Sequence, residues 1–172
     1  MLESKTVPQK RKDDTNMTNA QETMQKATFA HQRYLLKANN DDLASAINGY
    51  IETISQNPSE TSAYYRLATL LHKNGQIGID SAIDQCRKAV KLSPKDANAH
   101  IYLGYFLSLN SNFDEAKSEF ETAIKLKPAS ARTRLVLALT MLEKIKKQAN
   151  GKTIKDCTNA LYYGLSGAIM SL

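Results

Sequence analysis

Three prolines set the period of this chain. Pro58, Pro94 and Pro128 lie 36 and 34 residues apart, and a proline ends a helix because its ring removes a donor and clashes with the preceding turn. Aligned on these prolines, the upstream residues agree. Ala46, Ala82 and Ala116 stand twelve residues before, Tyr50, Cys86 and Phe120 eight before, and Ala89 and Ala123 five before. Ala-Val-Lys-Leu-Ser-Pro (89–94) and Ala-Ile-Lys-Leu-Lys-Pro (123–128) are near copies. Downstream, a large apolar residue precedes a small one at Leu67-Ala68, Leu103-Gly104 and Leu137-Ala138. A period of this length means a supersecondary unit that cannot bury its apolar face alone, so that neighbouring units must stack to make one core.

From about residue 25 onward Ala, Leu, Lys, Glu and Gln dominate, and apolar residues recur at spacings of three and four, the helical period. No stretch sustains the alternation of a strand. Helices are expected near 22–38, 41–56, 60–74, 79–92, 96–109, 112–126, 130–148 and 154–170, with Gly75 and Asn110-Ser111-Asn112 as turn residues. The hydrophobic share of 42% is enough to fill a core. Two cysteines exclude a disulfide-built scaffold, and no apolar run reaches the roughly 18–20 residues of a membrane span. The start, Met-Leu-Glu-Ser-Lys-Thr, lacks the apolar stretch of a secretory signal. A cytoplasmic setting is therefore expected, with Cys86 and Cys157 as reduced thiols. Residues 1–24 are polar, Lys10-Arg11-Lys12 being answered by Asp13-Asp14, and are expected to be a disordered tail.

The Leu-small pair, the paired alanines and the closing proline make the chain resemble the tetratricopeptide repeat family, in a bacterial-type module, whose pattern is W-x₂-L-G-x₂-Y…A-x₃-F…P. Residues 97–130 match through Leu103, Gly104, Ala116, Phe120, Ala123 and Pro128, with His100 in place of the first aromatic and Leu107 in place of the Tyr. Residues 61–96 match through Tyr64, Leu67, Ala68, Ala82, Ala89 and Pro94, with two extra residues in Gln76-Ile77-Gly78-Ile79. Residues 25–60 match only in their second half and residues 131–172 only in their first, as degenerate terminal units do. The resemblance implies an all-α, right-handed solenoid of antiparallel helix pairs.

No catalytic set is legible. The glycine pairs Gly75/Gly78 and Gly164/Gly167 lack the Lys-Ser or Lys-Thr of a phosphate loop. His31, His72 and His100 are far apart in sequence, and His100 reads as a packed, satisfied histidine. His72 reads as exposed or groove-facing. Asp114, Glu115, Glu119 and Glu121, interleaved with Lys117 and Lys125, read as a solvated helix face with i,i+4 pairing. Cys86 occupies the repeat's aromatic slot and reads as core, while Cys157 has Lys155 and Asp156 beside it. Neither cysteine has metal-ligand spacing. No enzyme activity, cofactor or metal is expected.

What the resemblance implies instead is a concave groove lined by the first helix of each unit. Its candidate residues are Tyr65, Arg66, Thr69, His72 and Lys73, then Asn98, Ile101, Tyr102, Tyr105 and Ser108, then Arg132, Leu135, Val136, Leu139 and Leu142. One subfamily clamps a C-terminal carboxylate there with Lys and Asn. The corresponding places here hold Tyr65, Thr69, Tyr102, Arg132 and Val136, of which only Arg132 fits. The expected function is thus a non-catalytic adaptor or scaffold that binds an apolar or amphipathic protein segment through tyrosine anchors. A nucleic-acid partner is not expected from a net charge of only +6 and no recognised motif. Residues 131–172 hold seven Lys/Arg against two acids and lead into the apolar stretch 160–172. That segment is expected to cap the solenoid, fold into the groove or self-associate. The alternatives are peripheral membrane contact through residues 144–172, and an accessory or targeting module of a larger envelope or glycosyltransferase system.

Overall fold

In the computed structural model of the chain, the described residues run from Lys12 to Gln148. The helix expected at 154–170, together with Cys157 and the apolar stretch 160–172, lies outside them. The described residues form seven helices and no strand: α1 (Lys12–Lys37), α2 (Asn40–Gln56), α3 (Thr61–Lys73), α4 (Ile79–Leu92), α5 (Ala97–Leu109), α6 (Phe113–Leu126) and α7 (Ala131–Gln148). This is the all-α class of helix pairs that the period calls for.

The prolines act through a junction built three times over. The residue before each proline, Asn57, Ser93 or Lys127, has left helical dihedrals, with φ of −137°, −139° and −138°, as the proline ring requires of its predecessor. Its N–H still closes the last turn, onto the carbonyl of Thr53, Ala89 or Ala123. Its carbonyl then accepts the N–H of the residue just before the next helix, Glu60, Asp96 or Ser130, at 3.0–3.2 Å. Glu60 and Asp96 accept from the backbone N–H two residues on, of Ser62 and Asn98, and Ser130 Oγ accepts from the Thr133 N–H. These caps satisfy donors that a helix start leaves bare. The proline carbonyl takes a side chain from one turn into the next helix. Tyr64 Oη donates to Pro58 at 3.0 Å, His100 Nε2 to Pro94 at 3.0 Å, and Arg134 to Pro128. Three different residue types at one repeat position do the same work: each pins the incoming helix to the turn it came from.

The chain divides into two compact units, Met1–Gln76 and Ile77–Leu172. In the first, α2 packs between α1 and α3, and the core is made mostly of small residues. Ala27, Ala30, Ala46, Tyr50, Ala63 and Leu70 are buried, with Met24, Leu43, Ile47, Ile54 and Leu67 packed against them. The approach of α1 to α2 is close enough that a Cβ on Gly49 would stand 2.7 Å from that of Ala27. His31 reaches across to α2, its Nδ1 3.0 Å from Tyr50 Oη. Arg33 pairs with the buried Asp42 carboxylate.

The extent of α1 corrects one expectation. The helix begins at Lys12, so residues 12–24 are helical where a polar disordered tail is read from sequence. No proline or glycine interrupts the run from Lys12 to Lys37, and burial of Ala20 needs no large apolar residue to announce it.

In the second unit α5 packs against α4 and α6, and α7 packs against α6 and touches α5. Gly104 lets α5 meet α6, because a Cβ there would lie 2.9 Å from Phe120 Cε1 and 3.1 Å from the Ala116 carbonyl oxygen. Arg87 of α4 reaches Glu115 of α6 at 2.9 Å. Lys144 of α7 pairs with Asp114, and Lys147 bonds Ser111 Oγ at 2.7 Å while standing over the Phe113 ring. The C-terminal half of α7 is thereby held onto the start of α6.

Candidate functional site

The candidate groove residues divide between the two units, and the structure treats them unequally. On α3, Tyr65 is only 3% exposed, so its ring is not available to a partner. Its area draws the tyrosine into the interior, and sequence spacing alone does not report that. Arg66, Thr69 and His72 are half-buried, and Lys73 is exposed. The Thr69 hydroxyl is spent on the Tyr65 carbonyl at 2.7 Å. Lys73 stands over the Tyr34 ring, and Tyr34 Oη donates to Asn74 Oδ1. The charges of Arg66 and Lys73 reach His31 of α1. Burial first, then these two cations, hold the imidazole well below its usual value, at about 4. His31 is a neutral packed ring rather than a ligand.

In the second unit the candidates form a different surface. α5 carries no Asp, Glu, Lys or Arg along its whole length, Ala97–Leu109. One side supplies the core through Ala99, Leu103, Phe106 and Leu107. The other side is apolar as well: Ile101 and Tyr102 are half-buried, and Tyr105 is 42% exposed. A helix that is apolar all round belongs in an interior, and α5 nonetheless keeps part of this second side in solvent. Asn98 is exposed at its first turn and Ser108 half-buried at its last. One repeat further on, α7 places Leu135 and Leu139 at the positions of Ile101 and Tyr105, each 51% exposed, with Val136 and Leu142 half-buried. The side chain of Arg132 is outside the described residues. Tyr105, Leu135 and Leu139 are thus exposed, uncharged side chains on two helices that touch.

The acidic face of α6 is only partly what its spacing suggests. Lys117 and Glu121 do pair at i,i+4, at 3.6 Å. Glu119, however, turns inward and meets His100 Nδ1 at 2.6 Å, while the other ring nitrogen donates to the Pro94 carbonyl. With an acceptor on each nitrogen, the buried ring of His100 is fully engaged, and it acts as a pin between α5, α6 and the preceding turn. From its spacing Glu119 reads as a solvated acid, because the residue that takes it lies nineteen positions away on another helix. Cys86 is fully buried, and burial pushes its thiol up to about 12, which removes it from thiolate chemistry. Among the described residues no three His, Cys, Asp or Glu side chains are grouped to hold a metal, and no helix is long and apolar enough to cross a membrane.

Known proteins carry the same pattern. Two family profiles described as tetratricopeptide repeat match residues 61–96 and 86–118. Small glutamine-rich tetratricopeptide repeat-containing protein 2 of Mycosarcoma maydis is 29% identical over 119 residues, 69% of this chain and 32% of that protein. Tetratricopeptide repeat protein 36 of Xenopus tropicalis is 31% identical over 104 residues, 58% of this chain and 50% of that protein. The chain therefore spans a third to a half of the curated relatives it matches. Among solved structures, the Sgt2 TPR domain of Aspergillus fumigatus superposes with a TM-score of 0.63 at 18% identity, over 76% of this chain and 83% of that one. The first TPR of Spaghetti (RPAP3), bound to the HSP90 peptide SRMEEVD, gives 0.56 at 19% identity, over 69% and 94%. At these identities the likeness is one of fold.

Proposed function

We propose that this chain, which belongs to the tetratricopeptide repeat family, is a protein-interaction adaptor that engages the apolar side of a partner segment through α5 and α7. The observation that carries this reading is the set of exposed apolar side chains on the second unit. Tyr105, Leu135 and Leu139 are 42–51% exposed, and α5 carries no Asp, Glu, Lys or Arg. Large apolar side chains held in solvent on a rigid scaffold are what an interface core needs, and a tyrosine contributes area at low entropy cost. Charge plays a minor part in such a contact, so a partner selected by this face presents apolar side chains at helical spacing.

The RPAP3 domain binds a peptide ending Glu-Glu-Val-Asp. A ligand of that kind needs cations; α5 carries none, and of the places where the clamp subfamily has them only Arg132 fits. The two chemistries are separable by experiment. Selection of a displayed peptide library on the full chain is expected to enrich apolar residues at i and i+4, and Tyr105→Ala with Leu139→Ala is expected to weaken the selected peptides by about tenfold or more. Enrichment of acidic C-terminal sequences that bind the double variant unchanged would overturn the reading.

A further inference from the structure

The exposed face of α5 and α7 matches one other feature of the chain. Residues 157–172 contain no Asp, Glu, Lys, Arg or His. Leu161, Leu165, Ala168 and Leu172 recur in them at spacings of four, three and four, which puts them in one stripe if the segment is helical. We propose that this segment is an intramolecular occupant of the α5/α7 face, lying antiparallel to α7 and competing with partner segments. The inference rests on the preceding reading of that face as a binding surface, and adds its regulation.

Length and tether both fit. α7 rises about 20 Å from Leu135 to Gln148, and sixteen helical residues rise about 24 Å. The eight residues 149–156 span at most about 27 Å when extended, more than is needed to reverse direction at the end of α7. Their charges, Lys152, Lys155 and Asp156, precede the apolar stripe and need not enter the face. The end of α7 from which they depart is fixed, since Lys144 and Lys147 are tied to Asp114 and Ser111 at the start of α6. A tether this short gives an effective concentration in the millimolar range, above that of most competing partners. Charge also matches: Leu135, Leu139 and Tyr105 offer nothing to an ionic ligand and lose nothing to a charge-free one.

The chain contains no tryptophan, so Leu139→Trp in the full chain gives a single indole on the face. Its emission is expected to be blue-shifted and weakly quenched by acrylamide, and to stay so on dilution. Adding L161D and L165D is expected to shift the emission to the red and raise quenching several-fold, with helix content measured alongside. A second measurement leaves the stripe's leucines intact: L135C with I169C, on a C157S background, is expected to form a disulfide within one chain under mild oxidation. An indole already exposed in the L139W chain, or protection that vanishes on dilution together with a disulfide formed only between chains, overturns the proposal. The first result means an open face and the second a contact between copies. The two readings fail separately. If the indole is exposed yet selected peptides bind, only the intramolecular occupant is lost. If the indole is covered, and L161D with L165D opens the face but no peptide binds, only the adaptor reading is lost.

Discussion

Lowering the pH should destabilise the first unit through one histidine. His31 is buried between α1 and α2, 9% exposed, with Nδ1 against Tyr50 Oη. Burial, Arg66 and Lys73 hold its folded value at about 4, against 6.5 for the free side chain. Below pH 6.5 the unfolded chain takes up a proton that the folded chain refuses until about pH 4. Stability is therefore complete above the unfolded value and falls as pH falls through that window. The difference corresponds to at most about 3 kcal/mol below pH 4, at 1.36 kcal/mol per unit. Solvent reaching the ring edge trims this, leaving about 1–2 kcal/mol by pH 5. Urea unfolding at pH 7.5 and pH 5, followed by circular dichroism, measures the loss. His31→Gln keeps a polar side chain of similar reach and removes the titrating group, so the variant should lose about 1–2 kcal/mol less than the parent between the two pH values. Equal losses in both proteins, or a His31 ring proton titrating near 6.5 by NMR, would refute the reasoning, because either result means that the folded chain accepts the proton as easily as the unfolded one.

Three further perturbations test the packing. Gly104→Ala should lower the urea midpoint without changing its slope: the helix gains about 1 kcal/mol in propensity, but the new methyl meets the Phe120 ring and the Ala116 carbonyl at an overpacking cost of about 1–3 kcal/mol. Tyr64→Phe removes the bond to the Pro58 carbonyl and should cost about 1 kcal/mol, an effect that vanishes if solvent already competes for that carbonyl. Cys86, fully buried with its thiol raised to about 12, should react with a thiol reagent only at the rate at which the second unit opens. Labelling that is fast and insensitive to stabilising conditions would show that α4 does not shield it.

Most of the helical framework is legible because it is written in local terms. The prolines and the turn residues between helices are read from adjacent positions, and six of the seven described helices both begin and end within about two residues of the bounds expected from sequence. What escapes is whatever depends on the far side of a contact. The first half of α1 carries no hydrophobic period, since an alanine such as Ala20 packs by being small rather than by being oily. Glu119 looks like a solvated acid until His100 is placed beside it. Tyr65 and Tyr105 are both tyrosines near the middle of a first helix, yet one is 3% and the other 42% exposed. Their burial is decided by neighbouring helices, whose placement no local pattern records.

The junction explains why exposed apolar residues can persist on α5 and α7. Each first helix is registered by its own cap and by one side chain bonded to the proline carbonyl six residues back, so the energy that fixes it is local to the turn. Gly104 and Phe120 then set how closely α5 meets α6. None of these contacts uses Tyr105, Leu135 or Leu139. Substituting those three residues should accordingly leave the packing of α5 on α6 intact, and in a chain already carrying L161D and L165D it should leave the unfolding midpoint within about 0.5 kcal/mol, while altering what the face binds. In the full chain, Leu139→Ala should cost more than this, up to the about 2–5 kcal/mol of a core truncation, because there the leucine lies under the segment 157–172. That cost should then disappear in the presence of L161D and L165D, because the cover over the leucine would already have been lost.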